Sequence, residues 1–352
     1  MALSRLTLTN FRNHATLTLQ PEAQFVALHG ANGAGKTNIL EAVSLLVPGR
    51  GLRRAALPDM ARNGGGGSFS ISAELDGTTI GTGTEAEHPE RRKVRINGSN
   101  AAINNLAEWL AVIWLTPSMD RLFIDGAAAR RRFLDRLVLA LEPSHARHSS
   151  RYEKAVQHRN KLLTAHGASD PMWLDVLEAQ MAESGAAIVE ARNRMVQELI
   201  AGLELAPTGP FAIPAIQLTE KDGVAIGELA HAWRRGRKRD AAAGRTLIGP
   251  HRADLIVTHA ASNQPAERCS TGEQKALLLS LILAHAALVT AQRQAPPILL
   301  LDEVAAHLDP TRREALFERL AQTGAQVWMT GTEPELFNGI GPTAQLFAVG
   351  PD

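Results

Sequence analysis

The stretch Gly30-Ala31-Asn32-Gly33-Ala34-Gly35-Lys36-Thr37 constrains this chain more than any other. It fits G-x-x-x-x-G-K-[ST], a loop whose backbone curls so that successive amides point at one anion. Lys36 reaches the outer phosphates as a point charge, and Thr37 offers a hydroxyl to Mg²⁺. The flanking residues agree. Phe25-Val26-Ala27-Leu28-His29 reads as a buried strand entering the loop, and residues 37–47 read as a helix leaving it, stopped by Pro48-Gly49. The N-terminus of that helix adds partial positive charge where the phosphates sit. The prediction is an α/β fold whose loop takes a nucleoside triphosphate along residues 30–37.

Two downstream motifs narrow the class. Ile298-Leu299-Leu300-Leu301-Asp302-Glu303 is an apolar strand ending in two carboxylates. Ligand chemistry in an open α/β sheet gathers at strand C-terminal ends. Asp302 is therefore the expected Mg²⁺ partner beside Thr37, and Glu303 the expected base or orienting group for an attacking water. Ser270-Thr271-Gly272-Glu273-Gln274-Lys275 opens an apolar, helix-favouring run, with Ser270 at the N-cap position and its hydroxyl facing outward. Together with Ala306-His307-Leu308-Asp309, these motifs resemble the signature and D-loop of ATP-binding-cassette ATPases. One helix N-terminus already holds the triphosphate. Ser270, Gly272 and Gln274 then act on ATP bound by a second copy, in a two-fold dimer. Val327-Trp328-Met329-Thr330 reads as a last strand. Many cassette ATPases carry a switch histidine there; in this chain Thr330 is the candidate sensor of the γ-phosphate, alongside Lys36 and Glu303 in the catalytic set.

Composition excludes some classes. The 352 residues are 45% hydrophobic and 21% charged, as in a globular protein with a sizeable core. No stretch is expected to reach the length of a membrane span, and the N-terminus alternates as a strand without a signal-peptide core. The single cysteine, Cys269, excludes an internal disulfide framework and fits a reducing, cytoplasmic setting. The net charge of +1, from 37 basic and 36 acidic residues, is too balanced to argue nucleic-acid binding by itself. Its distribution says more. Arg130-Arg131-Arg132 forms one cluster; Arg234, Arg235, Arg237, Lys238 and Arg239 form another. With 5 Trp, 9 Phe and one Tyr, the chain has few aromatics for stacking single-stranded bases. Cationic clusters suit duplex or junction phosphates instead. Two alternatives stay open: residues 234–239 as a solvated loop, and Arg131 and Arg132 paired with acids of their own domain.

Thr37 and Asp302 lie far apart in the chain, so something is inserted between them. Residues 3–8, 16–19, 68–75, 78–84 and 94–98 read as antiparallel strands, and 112–115 as a buried one. From about Met119 the pattern turns helical and stays so. Asp170-Pro171 starts a helix, in which Leu174, Met181, Ile188 and Met195 recur every seven residues with Leu177, Ser184 and Ala191 between them. Its expected partner is the stretch 126–163, either as a short antiparallel arm or as an ordinary helical domain. The predicted organisation is a head from 1–118 and 246–352, with an inserted helical domain at 119–245.

Further residues sharpen the class: Asn10-Phe11-Arg12-Asn13, Thr116-Pro117-Ser118-Met119-Asp120, Arg131-Arg132-Phe133-Leu134-Asp135 and Gly249-Pro250-His251-Arg252. With the nucleotide motifs they resemble the RecF family, recombination-mediator ATPases of the SMC-like cassette group, over nearly the whole length. The resemblance implies a cassette-type ATPase head with an antiparallel wing and an inserted helical lid or arm. It adds Arg12 and Asn13 to the nucleotide site. It also implies ATP and Mg²⁺ as cofactors, ATP-driven dimerisation on duplex or gapped DNA, and weak hydrolysis serving as a switch. The implied partners are RecR and RecO, in a pathway that loads RecA at single-strand gaps. Thr271 and Glu273 depart from the glutamines frequent in the family signature. No glutamine stands at the Q-loop position near Pro117, where Ser118 and Asp120 are the local candidates. The rival classes are a transporter ATPase subunit, which needs a shorter insertion, and a long-armed SMC-like or RecN-like ATPase, which needs hundreds of heptad residues.

Overall fold

The structure, a computed structural model, describes residues 1–165, 170–205, 209–220 and 223–350. The chain divides into two compact units. One comprises Met1–Asp120, Leu205–Ala212 and Lys275–Asp352; the other comprises Arg121–Glu204 and Ile213–Gln274. In chain order the first unit opens with β1 (Leu3–Phe11), β2 (His14–Leu19), β3 (Phe25–His29), α1 (Lys36–Ser44), β4 (Ser70–Leu75), β5 (Thr78–Glu85), β6 (His88–Ile96), β7 (Ser99–Ala101), α2 (Leu106–Trp109) and β8 (Val112–Leu115). The second holds α3 (Ala127–Leu141), α4 (Ser144–Thr164), α5 (Pro171–Glu204), β9 (Pro214–Thr219), α6 (Leu229–Ala243), β10 (Asp254–His259) and β11 (Gln264–Pro265). After α7 (Thr271–Arg293) come β12 (Ile298–Leu301), α8 (Pro310–Gln322), β13 (Gln326–Gly331) and β14 (Ala344–Ala348).

Two sheets build the first unit. Five parallel strands run in the order β14-β3-β13-β12-β8, and six antiparallel strands run β2-β1-β4-β5-β6-β7. The parallel strands are covered on both faces, which is why β12 and β13 are buried throughout and read as continuous apolar runs. In the antiparallel wing β1 turns Leu6, Leu8 and Phe11 inward, where they join Ile39, Val43 and Trp328 in one core. Arg92 of β6 fastens the wing to α1. Its guanidinium donates to the carbonyls of Leu45, Val47 and Gly49, which the end of α1 leaves without helical partners. Burial lowers this guanidinium to about 10, so it stays charged at neutral pH.

α7 corrects one expectation. By length and composition it is long and apolar enough to cross a membrane. Yet Leu277, Leu278, Leu281, Ile282, Ala286 and Val289 are all buried, as befits a core helix.

In the second unit α4 and α5 run antiparallel, since Arg151 pairs with Glu183 and Arg159 with Glu178. The seven-residue stripe of α5 and its intermediate seam, Leu177, Ser184 and Ala191, are buried as the spacing predicts. Its partner is two helices, α3 and α4, broken at Pro143. The expectation that the inserted stretch stays helical is corrected by β9, which pairs with β10 in a three-stranded antiparallel sheet. Pro214 and Ile216 point inward and Ala215 and Gln217 outward, a period of two over only six residues. Because β10 and β11 belong with β9, the chain returns to the first unit at Lys275, later than the expected 246. At the centre of this unit Arg159 is fully buried. It donates to Glu178 at 2.9 Å, Asp240 at 2.7 Å, Thr246 at 2.9 Å and the Trp233 carbonyl at 2.9 Å. All of its bonds are internal, which is the condition for burying a guanidinium at tolerable cost.

Candidate functional site

The loop between β3 and α1 is shaped by what surrounds its glycines. A Cβ on Gly30 would lie 2.2 Å from the Val349 carbonyl oxygen. One on Gly35, which has a φ of 102°, would meet the Asn13 amide at 2.6 Å and the His14 ring at 2.7 Å. Only glycine fits either place. The turn between β1 and β2 then staples the loop. Asn13 donates to the Ala34 carbonyl at 3.1 Å, Asn38 donates to Asn13 Oδ1 at 2.6 Å, and the His14 ring sits 3.3 Å from the Gly35 carbonyl. No side chain caps α1 and no acid lies in its first turn, so its leading amides stay open to an anion. Lys36 is buried, and its ammonium donates to the carbonyls of Gly30 at 2.5 Å and Ala31 at 3.0 Å. Ala31, Asn32 and Gly33 complete the loop at its outer turn.

Strand order brings the carboxylates to this loop. β13 lies between β3 and β12, so the C-terminal ends of all three meet. Asp302 Oδ1 accepts from the Thr37 hydroxyl at 2.9 Å and from the Thr330 hydroxyl at 2.8 Å. The Glu303 amide donates to the Thr330 oxygen at 2.8 Å, and Glu303 takes a left-handed φ of 55°. Thr330 is fully buried, and its single proton is already donated to Asp302. It stands behind the carboxylates and orients them, which corrects the expectation of a hydroxyl free to sense a γ-phosphate. Burial pushes the Asp302 carboxyl above its usual range; its two hydroxyl donors oppose this, and the charge of Glu303 adds to it. A divalent cation held between Thr37 and Asp302 would relieve that burden, so the residues fit Mg²⁺. Among the described residues no cluster of three or more His, Cys, Asp or Glu forms a metal cage. This agrees with an ion whose remaining ligands are phosphates and waters.

Other members carry no motif of their own. Glu41 is fully buried under α1 and is gripped by Arg12 through two bonds, at 2.8 and 2.7 Å, and by Arg53 at 3.2 Å. Arg12 also donates to the Asp59 carbonyl. Its guanidinium thus braces α1, where the family resemblance implied nucleotide contact. Arg53 donates to Asn38 at 2.5 Å, and its charge lowers the Asp302 carboxyl. Of the Q-loop candidates, Ser118 is tied to Thr116 at 2.9 Å, while Asp120 and Glu303 lie near enough to Lys275 for their charges to offset the effect of burial on its ammonium.

The signature residues Ser270, Gly272 and Gln274 belong to the second unit. Ser270 does cap α7, but its hydroxyl is engaged. It donates to the Glu273 carboxylate at 2.7 Å, as the Ser270 amide does at 2.8 Å, while the Glu273 amide points back at the hydroxyl at 3.3 Å. This is a reciprocal S-x-x-E capping box, a signal present in the sequence and not read there. Its bonds hold the Glu273 carboxyl below its ordinary range. Gln274 is buried and donates to the Cys269 carbonyl at 2.9 Å.

The cationic clusters divide in two. Arg130 pairs with Asp254 through both carboxylate oxygens and donates to the carbonyls of Phe123 and Asp125. Arg131 donates to the Ala253 carbonyl, Arg234 pairs with Asp175, and Arg237 pairs with Asp175 and Glu178. These four hold the second unit together. Arg132, Arg235, Lys238 and Arg239 are exposed. Residues 234–239 lie on a helix, α6, where a loop had been an alternative.

A five-stranded parallel sheet, a phosphate loop after one strand and an Asp-Glu pair at the end of a strand one removed define an ABC-type P-loop ATPase head. The RecF/RecN/SMC N terminal domain model matches residues 2–349. The DNA replication and repair protein RecF of Mesorhizobium japonicum is 50% identical over 363 residues, covering 99% of this chain and 96% of the relative. That of Rhizobium etli is 50% identical over 364 residues, covering 99% and 97%. The chain belongs to the RecF family. Among solved structures, the recombination mediator protein RecF-ATP in the RecFOR pathway superposes with a TM-score of 0.83 at 21% identity, over 99% of this chain and 95% of that one. The Smc head domain of Pyrococcus furiosus gives 0.54 at 15%, over 99% and 94%. Both are likenesses of fold.

Proposed function

We propose that this chain is an ATP-dependent, DNA-binding recombination mediator, and that ATP drives it to dimerise on duplex or gapped DNA. The observation that carries the reading is the meeting of Thr37, Asp302, Thr330 and Glu303 at the mouth of the phosphate loop, in a chain half identical to curated RecF proteins. Residues 30–37 hold the phosphates of ATP, and Lys36 leaves its loop carbonyls for the outer ones. Thr37 and Asp302 hold Mg²⁺, which supplies neutralising charge to the β- and γ-phosphates when bound. Glu303 orients or deprotonates the attacking water in a slow hydrolysis that resets the switch. Ser270, Gly272 and the leading amides of α7 grip the γ-phosphate held by a second copy. The exposed cations Arg132, Arg235, Lys238 and Arg239 hold DNA phosphates. In the cell the complex acts with RecR and RecO to load RecA at gaps.

Sedimentation with and without ATP, Mg²⁺ and gapped DNA tests the reading. A monomer without nucleotide and a dimer with it are expected. Ser270→Arg should keep ATP binding and lose the dimer, and Glu303→Gln should prolong it. An unchanged ATP-dependent dimer in Ser270→Arg would sink the in-trans assignment.

A further inference from the structure

Three tryptophans, Trp114, Trp233 and Trp328, are buried in the core, and Trp109 is half-buried. Trp173 is different. It is 53% exposed in the opening turns of α5, beside Met172 at 78% and Val176 at 58%. The spacing i, i+1, i+4 sets the three on one side of the helix, while Leu174, Leu177 and Met181 face the interior. Three large apolar side chains on a solvent face mark a surface that meets something.

The surrounding charge says what. α6 lies along the same turn of α5, because Arg234 and Arg237 both hold Asp175. The outer face of α6 presents Arg235, Lys238 and Arg239, none of them in an ion pair among the described residues. The second half of α4, antiparallel to α5, exposes Lys154, His158 and Lys161. The apolar patch is thus framed by cations, and its nearest acid, Asp175, is neutralised by two arginines. A second copy seated here would set these cations against their own kind, since a two-fold contact is self-complementary. The occupant must be polyanionic and offer a flat apolar face. An unstacked base on a phosphodiester strand is both.

We propose that Trp173, with Met172 and Val176, is a stacking platform for an unpaired base at the border between duplex and single strand. The cationic faces of α6 and α4 hold the flanking phosphates. The inference rests on the DNA-binding reading above and specifies which DNA it selects. The test uses the full chain with ATP and Mg²⁺. Its probes are a blunt duplex and the same duplex with a single-stranded extension bearing 2-aminopurine at the first unpaired position. The native protein should prefer the extended duplex and quench the 2-aminopurine. Trp173→Ala should weaken binding to the extended duplex by about tenfold and abolish the quench, with blunt-duplex affinity and salt slope unchanged; Trp173→Phe should retain most of both. Equal losses on the two duplexes, no loss on either, or a change in DNA-free self-association would each overturn the stacking platform. If the native protein binds neither duplex, the DNA-binding reading falls with it. If the native protein binds both with a normal salt slope and Trp173→Ala is silent, only the platform falls.

Discussion

Thr330 shows how one hydroxyl can set two carboxylates. It donates to Asp302 and accepts from the Glu303 amide, so both acids take their positions from one side chain on the strand between the phosphate loop and β12. Thr330→Val keeps the shape and removes both bonds. Asp302 then loses a donor it needs in a buried site, and Glu303, already at positive φ, loses the bond that holds its amide. ATP affinity should change by only a few-fold, phosphate release should slow by roughly ten- to a hundredfold, and Thr330→Ser should restore it. A valine variant that hydrolyses ATP at the native rate would show that the hydroxyl does not position the carboxylates.

At the scale of elements, two motifs that carry the family resemblance turn out to meet. Asp135 of α3 accepts two bonds from Arg192 of α5, and Arg192 also donates to the Pro250 carbonyl; His145 of α4 adds a bond at 3.0 Å. Burial raises the Asp135 carboxyl, but Arg192 and His145 outweigh it and bring it to about 2, from 3.8. A depressed carboxyl stabilises the fold above its unfolded value and loses that contribution as pH falls towards the folded one. About 2 kcal/mol should therefore disappear between pH 4 and pH 2 through this group. Asp135→Asn should unfold at lower denaturant at pH 7 and lack that acid limb in a pH series of urea melts; an identical acid limb would clear Asp135 of the role. The same junction explains what was legible. Heptad spacing placed the buried face of α5 correctly, because a helix repeats its own geometry along the chain. Ion pairs between elements leave no such trace. Nothing in the run 234–239 tells Arg237, locked on Glu178, from Arg235 one turn-face away. β9 escaped notice for a related reason, since six residues alternating once or twice look much like any short polar-apolar run. The phosphate loop and the Asp-Glu strand were readable because backbone chemistry dictates their residues locally. The Glu41 brace under α1 was not, because it is made by Arg12 and Arg53 from elsewhere in the chain.

For the whole molecule, the order β14-β3-β13-β12-β8 matters most. The strand that leads into the phosphate loop, β3, is flanked on both sides by strands from near the other end of the chain, β13 and β14. Gln326 of β13 bonds both backbone groups of Leu3, and the Val349 amide donates to the His29 carbonyl at the base of the loop. The consequence concerns synthesis. The loop leaves the ribosome early, but it has no sheet to stand in until β12, β13 and β14 have followed. Stalled nascent chains exposed only as far as Pro297 should gain no protection from protease on addition of ATP and Mg²⁺, whereas chains exposed through Val349 should. Protection of the shorter chains would mean that the loop binds without its neighbours. If it does not, a chain cut short in translation cannot take up nucleotide, and every molecule that responds to ATP has been read at least as far as its last strand.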